Sequence, residues 1–162
     1  MSEQNASDIF EINLVLPDKT AGLNRLKKER EDTLRQLKKK SVFQLVKFKN
    51  EPYCINLSVD NNKFIFNIKD ARQSDLQNLV LSLSPYRRII RDYFMIIDSY
   101  EEFRAVSTTA KLETVDMARR AIHNEAAEML QERLADKITM DLETARGFFT
   151  LICCLSPAPR SR

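Results

Sequence analysis

Asp116, Arg119, Arg120 and His123 recur at i, i+3, i+4 and i+7, a spacing that places all four on one side of a helix. Guanidiniums beside a neutral imidazole can hold a phosphate or a carboxylate, with His123 as the candidate proton donor or acceptor. The competing reading is structural. A half-buried Arg needs a carboxylate, and Asp116 can pair with Arg120 at i+4, so the same residues can form a network that fixes helix register. Arg133 projects close to the middle of the same helix's apolar stripe, with Asp92, Asp98 and Glu143 as candidate partners on neighbouring helices. Asn124 points to the exposed side, as an interface or solvent residue. Arg87 adds a weaker anion candidate. It follows Ser84-Pro85, a helix-start signal, and free backbone N–H groups in a first turn attract anions.

A second set is electrostatic. From Lys19 to Lys49 there are eleven basic residues against Glu29, Glu31 and Asp32. Lys27, Lys28, Arg35, Lys38, Lys39 and Lys40 form a basic patch that could meet a nucleic-acid backbone or an acidic protein surface. The plainer reading is a solvated helix face. No RNP aromatic motif and no helix-turn-helix accompanies the patch, so any nucleic-acid binding would be backbone-directed.

Other chemistries lack their residues. Two glycines cannot supply a dinucleotide fingerprint or a phosphate-binding P-loop, and one histidine excludes the two-histidine zinc motif. No zinc or iron–sulfur spacing occurs, and no nucleophile elbow. The expectation is no metal and no cofactor. Cys54, Cys153 and Cys154 are an odd set with two sequence neighbours. They read as reduced thiols of a cytoplasmic protein, with Cys153 and Cys154 inert in an apolar segment. No apolar run is long enough for a membrane helix, so no membrane association is expected.

Positioning these residues requires particular elements. Phe10, Ile12, Leu14 and Leu16 alternate, predicting a half-buried strand over 9–16 that ends at Pro17. Leu23, Leu26, Leu34 and Leu37 follow helical spacing through about Lys40, with Arg30 inside the seam. Val42–Phe48 reads as a strand. Tyr53–Val59 and Phe64–Ile68 alternate about Asp60-Asn61-Asn62, a β-hairpin signature. Leu76, Leu79, Val80 and Leu83 predict a short helix from Ser74. A second helix starts at Ser84 as N-cap, with Tyr86, Ile89, Ile90, Tyr93, Ile97 and Tyr100 on one face. A third runs from about Leu112 to Lys137. Asp141 caps a fourth over Leu142–Leu155, apolar nearly all round and therefore the central core helix. The order predicts an α+β fold in which a small antiparallel sheet packs against a C-terminal bundle of three to four helices. No linker divides the chain, so residues 1–162 are expected to form one domain, with a strand-rich half (8–70), a helical half (74–155) and a flexible tail (156–162).

Three stretches carry a family resemblance. Ser84-Pro85-Tyr86-Arg87-Arg88-Ile89-Ile90-Arg91-Asp92-Tyr93-Phe94, Asp116-Met117-Ala118-Arg119-Arg120-Ala121-Ile122-His123-Asn124-Glu125 and Thr144-Ala145-Arg146-Gly147-Phe148-Phe149-Thr150-Leu151-Ile152-Cys153 resemble, in that order, motifs of the uncharacterised bacterial protein family numbered 0262, chiefly alphaproteobacterial. The resemblance is good from Leu83 to Leu155, weaker from Lys28 through the hairpin, and absent from the first twenty residues. The chain departs from the family pattern at Ala118, Ala121, Ala126 and Gly147. The resemblance implies a cytoplasmic address and brings no activity with it. Two functional readings therefore stay open. One is a non-enzymatic binding or accessory protein that engages an anionic partner through basic helices. The other is a small enzyme or sensor for a phosphorylated or carboxylated metabolite, using Arg87, Arg119, Arg120 and His123.

Overall fold

The computed structural model of the chain describes residues 6–16, 26–104 and 108–156. The hairpin is the most local of its features. Strands β5 (Tyr53–Asp60) and β6 (Lys63–Lys69) pair antiparallel, with Ile55 opposite Ile68 and Leu57 opposite Phe66. Asn61 and Asn62 join them at φ 52° and 63°, the left-handed pair that a tight hairpin turn requires and that Asn tolerates.

The next segment corrects the predicted helix from Ser74. Asp75–Ser82 is a strand, β7, paired antiparallel with β6. Leu79 and Leu81 are buried while Val80 is exposed. Leu76, Leu79, Val80 and Leu83 do have helical spacing, but the alternation at 79–81 fits the open edge of β6, and pairing decides the outcome.

Strand β2 (Ile9–Leu14) completes a four-stranded sheet in the order β2-β5-β6-β7. It runs parallel to β5, so the sheet is mixed, where a purely antiparallel one was expected. The two strands are separated in sequence by a helix, the kind of crossover that parallel neighbours require. The register shifts between Ile9 and Glu11. This bulge turns Phe10 outward at 61% exposure while Ile9 and Ile12 are buried, which corrects the expected inward face at Phe10. Leu16 is also exposed.

Two short ladders tie the remainder together. β1 (Ala6–Ser7) runs parallel to β3 (Lys40–Ser41), and β4 (Phe43–Leu45) pairs antiparallel with β8 (Ile138–Met140). The expected strand at 42–48 is thus shorter. Beyond Leu45, Val46 N–H donates to the Lys137 carbonyl at 2.9 Å and side chains hold the turn that follows: Tyr53 donates its hydroxyl proton to the Phe48 carbonyl and accepts from Leu45 N–H at 3.1 Å, and Gln44 accepts from Asn50 N–H at 2.7 Å.

The helices are α1 (Lys27–Lys39), α2 (Arg87–Arg104), α3 (Thr109–Arg133) and α4 (Leu142–Leu155). The predicted start of the first, at Leu23, lies outside the described residues. Helix α2 follows a 3₁₀ turn at Ser84–Tyr86 whose N-cap is Leu83, so Ser84 does not cap it. The Ser84 hydroxyl instead accepts from Asn62 Nδ2 at 3.0 Å and ties the hairpin turn to the helix. Helix α3 ends before Leu134, because Lys137 and Ile138 turn back onto the Leu134 carbonyl and β8 begins. Asp141 caps α4 as predicted, accepting from Thr144 N–H at 2.9 Å. Ten of the fourteen α4 residues are buried. The helix lies on the sheet, with Phe148 between Phe43 and Phe66 at centroid distances of 5.6 and 5.4 Å. The fold is α+β, and one hydrophobic cluster runs from the inner face of the sheet through all four helices. Among the described residues no helix is long and apolar enough to cross a membrane.

Candidate anion-binding site

Helix α3 carries the residues that the spacing singled out, and α2 and α4 determine what they face. His123 is wedged among aromatic rings. It stacks on Tyr93 of α2, centroids 5.0 Å apart and planes 19° apart, and meets the edge of Phe149 of α4 at 5.8 Å. The Thr150 hydroxyl bonds the Arg146 carbonyl one turn back at 3.3 Å and lies 3.3 Å from His123 Nε2. With the hydroxyl proton given to the carbonyl, the ring donates from Nε2 and Nδ1 holds the lone pair. Burial is the main cause of a His123 pKa lowered to about 4, and the positive charges of Arg119 and Arg146 push the same way. The imidazole is therefore neutral at physiological pH.

Asp116 anchors both arginines of its own helix. Arg119 Nη2 donates to Oδ1 at 2.6 Å, and Arg120 Nη2 lies 3.1 Å from Oδ2. Arg119 is 34% exposed and Arg120 73%, so Arg119 belongs to the wall and Arg120 to the rim. The Arg119 hydrogen bond is the main cause that holds the Asp116 carboxyl below its ordinary range.

Arg119, Arg120 and His123 line one cavity of about 380 Å³ together with Asn124 and Arg146. Among the described residues no carboxylate lines it. Arg146 arrives from α4 and donates to Asn124 Oδ1 at 2.8 Å, which corrects the solvent-facing reading of Asn124. Arg146 lies on a different element from the α3 set, so no spacing in the sequence points to it. His123 and Arg146 also border a second cavity of about 210 Å³, lined as well by Thr33 and Gln36 of α1 and Thr150 of α4. Gly147 lets α1 approach here: a Cβ would come within 3.1 Å of Leu37 Cδ2.

Other expected site residues lie elsewhere. Arg87 is exposed in the first turn of α2 and takes no part in the 380 Å³ cavity. Arg133, expected near the apolar stripe, is exposed in the last turn of α3, because the chain leaves the helix there toward β8. Lys27, Lys28, Arg35, Lys38, Lys39 and Lys40 are all exposed on or beside α1. Asp32 pairs with Lys28 at 3.2 Å and with Arg35, and these contacts, Lys28 first, hold its carboxyl below the ordinary range. The three cysteines are free and buried. Burial raises the Cys153 thiol well above its ordinary range and Cys154 to about 12, so neither is a nucleophile. Among the described residues no three His, Cys, Asp or Glu side chains converge to hold a metal ion.

No solved structure matches the chain. Relatives extend over most of it. A UPF0262 protein of Rhizobium etli is 39% identical over 152 residues, 93% of this chain and 97% of its own length. One from Hyphomonas neptunium is 43% identical over 127 residues, 78% of each chain. One from Sphingopyxis alaskensis is 53% identical over 104 residues, 64% of this chain and 63% of its own. The family's sequence profile spans residues 6–157, and so reaches the N-terminal strands that the three motifs had left out. The chain belongs to the uncharacterised protein family UPF0262.

Proposed function

We propose that this protein binds a small phosphorylated or carboxylated ligand in the cavity between α3 and α4. The observation that carries the reading is the convergence of Arg119, Arg120 and Arg146 with His123 and Asn124 on a space of about 380 Å³ that no described carboxylate lines. Planar guanidiniums from two helices can present forked donors to one oxyanion, and the volume lies within the range of small-ligand pockets. A neutral His123 fits a binding role better than acid–base catalysis. A general acid at neutral pH needs a pKa near the working pH, and this one is near 4. The role proposed is a ligand-binding accessory or sensor.

His123 is the only histidine in the chain, so its ring protons give one NMR signal each. Titration with inorganic phosphate, and separately with citrate, is expected to shift that signal saturably with at least one of the two. Arg146→Ala is expected to weaken the response about tenfold, as loss of a charge-assisted contact does. A signal that moves with neither anion overturns the reading.

A second reading rests on the exposure of all six basic residues of the α1 patch: a polyanion could lie along that helix. Retention on heparin that falls steeply with salt supports it. Lys38→Glu with Lys39→Glu should abolish that retention and leave the His123 response intact.

A further inference from the structure

Resting on the anion site proposed above, we infer that its ligand is a phosphate monoester of a polyol or sugar. The phosphate lies in the cavity of about 380 Å³ and the hydroxylated carbons in the neighbouring one of about 210 Å³.

Charge selects the phosphate. Three guanidiniums line the larger cavity, those of Arg119, Arg120 and Arg146. Asp116 contacts two of them, Arg119 at 2.6 Å and Arg120 at 3.1 Å. Its carboxylate offsets one positive charge and leaves two. A phosphate monoester carries a charge of about −1.5 to −2 at pH 7, which matches that surplus, while a single carboxylate carries half of it.

The smaller cavity reads as an annex. His123 and Arg146 line both spaces, which therefore adjoin along these two side chains. Alone, its volume falls below the range of about 300–1,000 Å³ that ligand pockets occupy. Its charges differ from those of its neighbour. Apart from the shared Arg146, it is lined by one cation, Lys40, and one carboxylate, Glu143, which offset each other, so a neutral group suits it. Thr33, Gln36 and Thr150 add hydroxyls and an amide, groups that donate as well as accept. Neither the Thr33 hydroxyl nor the Gln36 amide bonds another described residue. Thr150 gives its proton to the Arg146 carbonyl and accepts from His123, which leaves one lone pair of its oxygen open. Carbon-bound hydroxyls can use all of these. No described Phe, Tyr or Trp lines the space, and His123 already stacks on Tyr93, so a nucleobase finds no platform there.

Titration of the full chain, read from the His123 ring signals, tests this with inorganic phosphate, propyl phosphate, glycerol 3-phosphate and ribose 5-phosphate. Glycerol 3-phosphate differs from propyl phosphate only in its hydroxyls. At least one of the two hydroxylated esters is expected to bind about tenfold more tightly than propyl phosphate, the gain that one or two neutral hydrogen bonds supply. Thr33→Val keeps the side-chain shape and removes the hydroxyl, and Gln36→Ala alters an exposed position of α1. Each is expected to cut that ratio at least threefold. A ratio taken within one variant is blind to a general loss of binding. A ratio near one in the wild type, a ratio that neither variant lowers, or a response to citrate with none to the phosphates overturns the polyol phosphate and leaves the anion site standing. A His123 signal that moves with none of these anions overturns both. Should one variant fail to fold, the wild-type ratio and the other variant decide it.

Discussion

His123 takes its properties from three helices at once: a ring from α2, its own place on α3, and a hydroxyl and a guanidinium from α4. Its protonation is thereby tied to folding. The folded pKa is about 4 and the ordinary value 6.5. Between these, the unfolded chain binds a proton that the folded chain does not, so stability falls as pH drops through the window from 6.5 to 4. Below pH 4 both states are protonated and the loss is complete. One pH unit corresponds to about 1.4 kcal/mol. Between pH 7 and pH 4.5 the wild type should therefore lose about 2 kcal/mol more than His123→Gln, which keeps a polar side chain but cannot titrate. Urea midpoints of the two proteins at both pH values check this. Equal losses would mean that the ring is hydrated and not held between Tyr93 and Phe149.

At the scale of elements, legibility follows how local the deciding interaction is. The Asn61–Asn62 turn and the Asp141 cap are chemistry within four residues, and both stand where the sequence put them. For Asp141→Ala, the lost cap to Thr144 N–H should cost about 1 kcal/mol, read from chemical denaturation; a cost near zero would mean that water replaces the cap freely. The β7 strand was illegible because leucines at 76, 79, 81 and 83 satisfy both periods, and the edge of β6 breaks the tie. The parallel β2–β5 pair depends on a crossover whose path no local pattern specifies. The site divides the same way. Asp116, Arg119, Arg120 and His123 were legible because one helix fixes their common side. Arg146 and Asn124 join them only through the packing of α4 on α3, which brings together residues 22 apart in sequence. Arg87 lies apart from that cavity for the same reason: a helix start gives the position of a residue along its own axis and nothing about which cavity it meets.

For the whole molecule, the question is whether the strand-rich and helical halves unfold as one unit. Helix α4 is the element on which both depend. Its Phe148 ring packs against Phe43 of β4 and Phe66 of β6, and its neighbour Phe149 meets Tyr93 of α2 at 5.6 Å. The sheet's inner residues and the helices thus share one cluster, and a defect in the middle of α4 must weaken both sides. Phe148→Ala removes a fully buried ring and should cost about 3–5 kcal/mol, since close-packed neighbours relax only partly into the space. Cooperativity makes the expectation sharper than the magnitude. The far-ultraviolet signal, dominated by helices, and the fluorescence of Tyr53 on the sheet, isolated by replacing Tyr86, Tyr93 and Tyr100 with Phe, should shift together to one lower midpoint. If the fluorescence transition moved while the helical one stayed, the halves would be separate folding units joined only by contact. α4 would then be a part of the sheet's core alone.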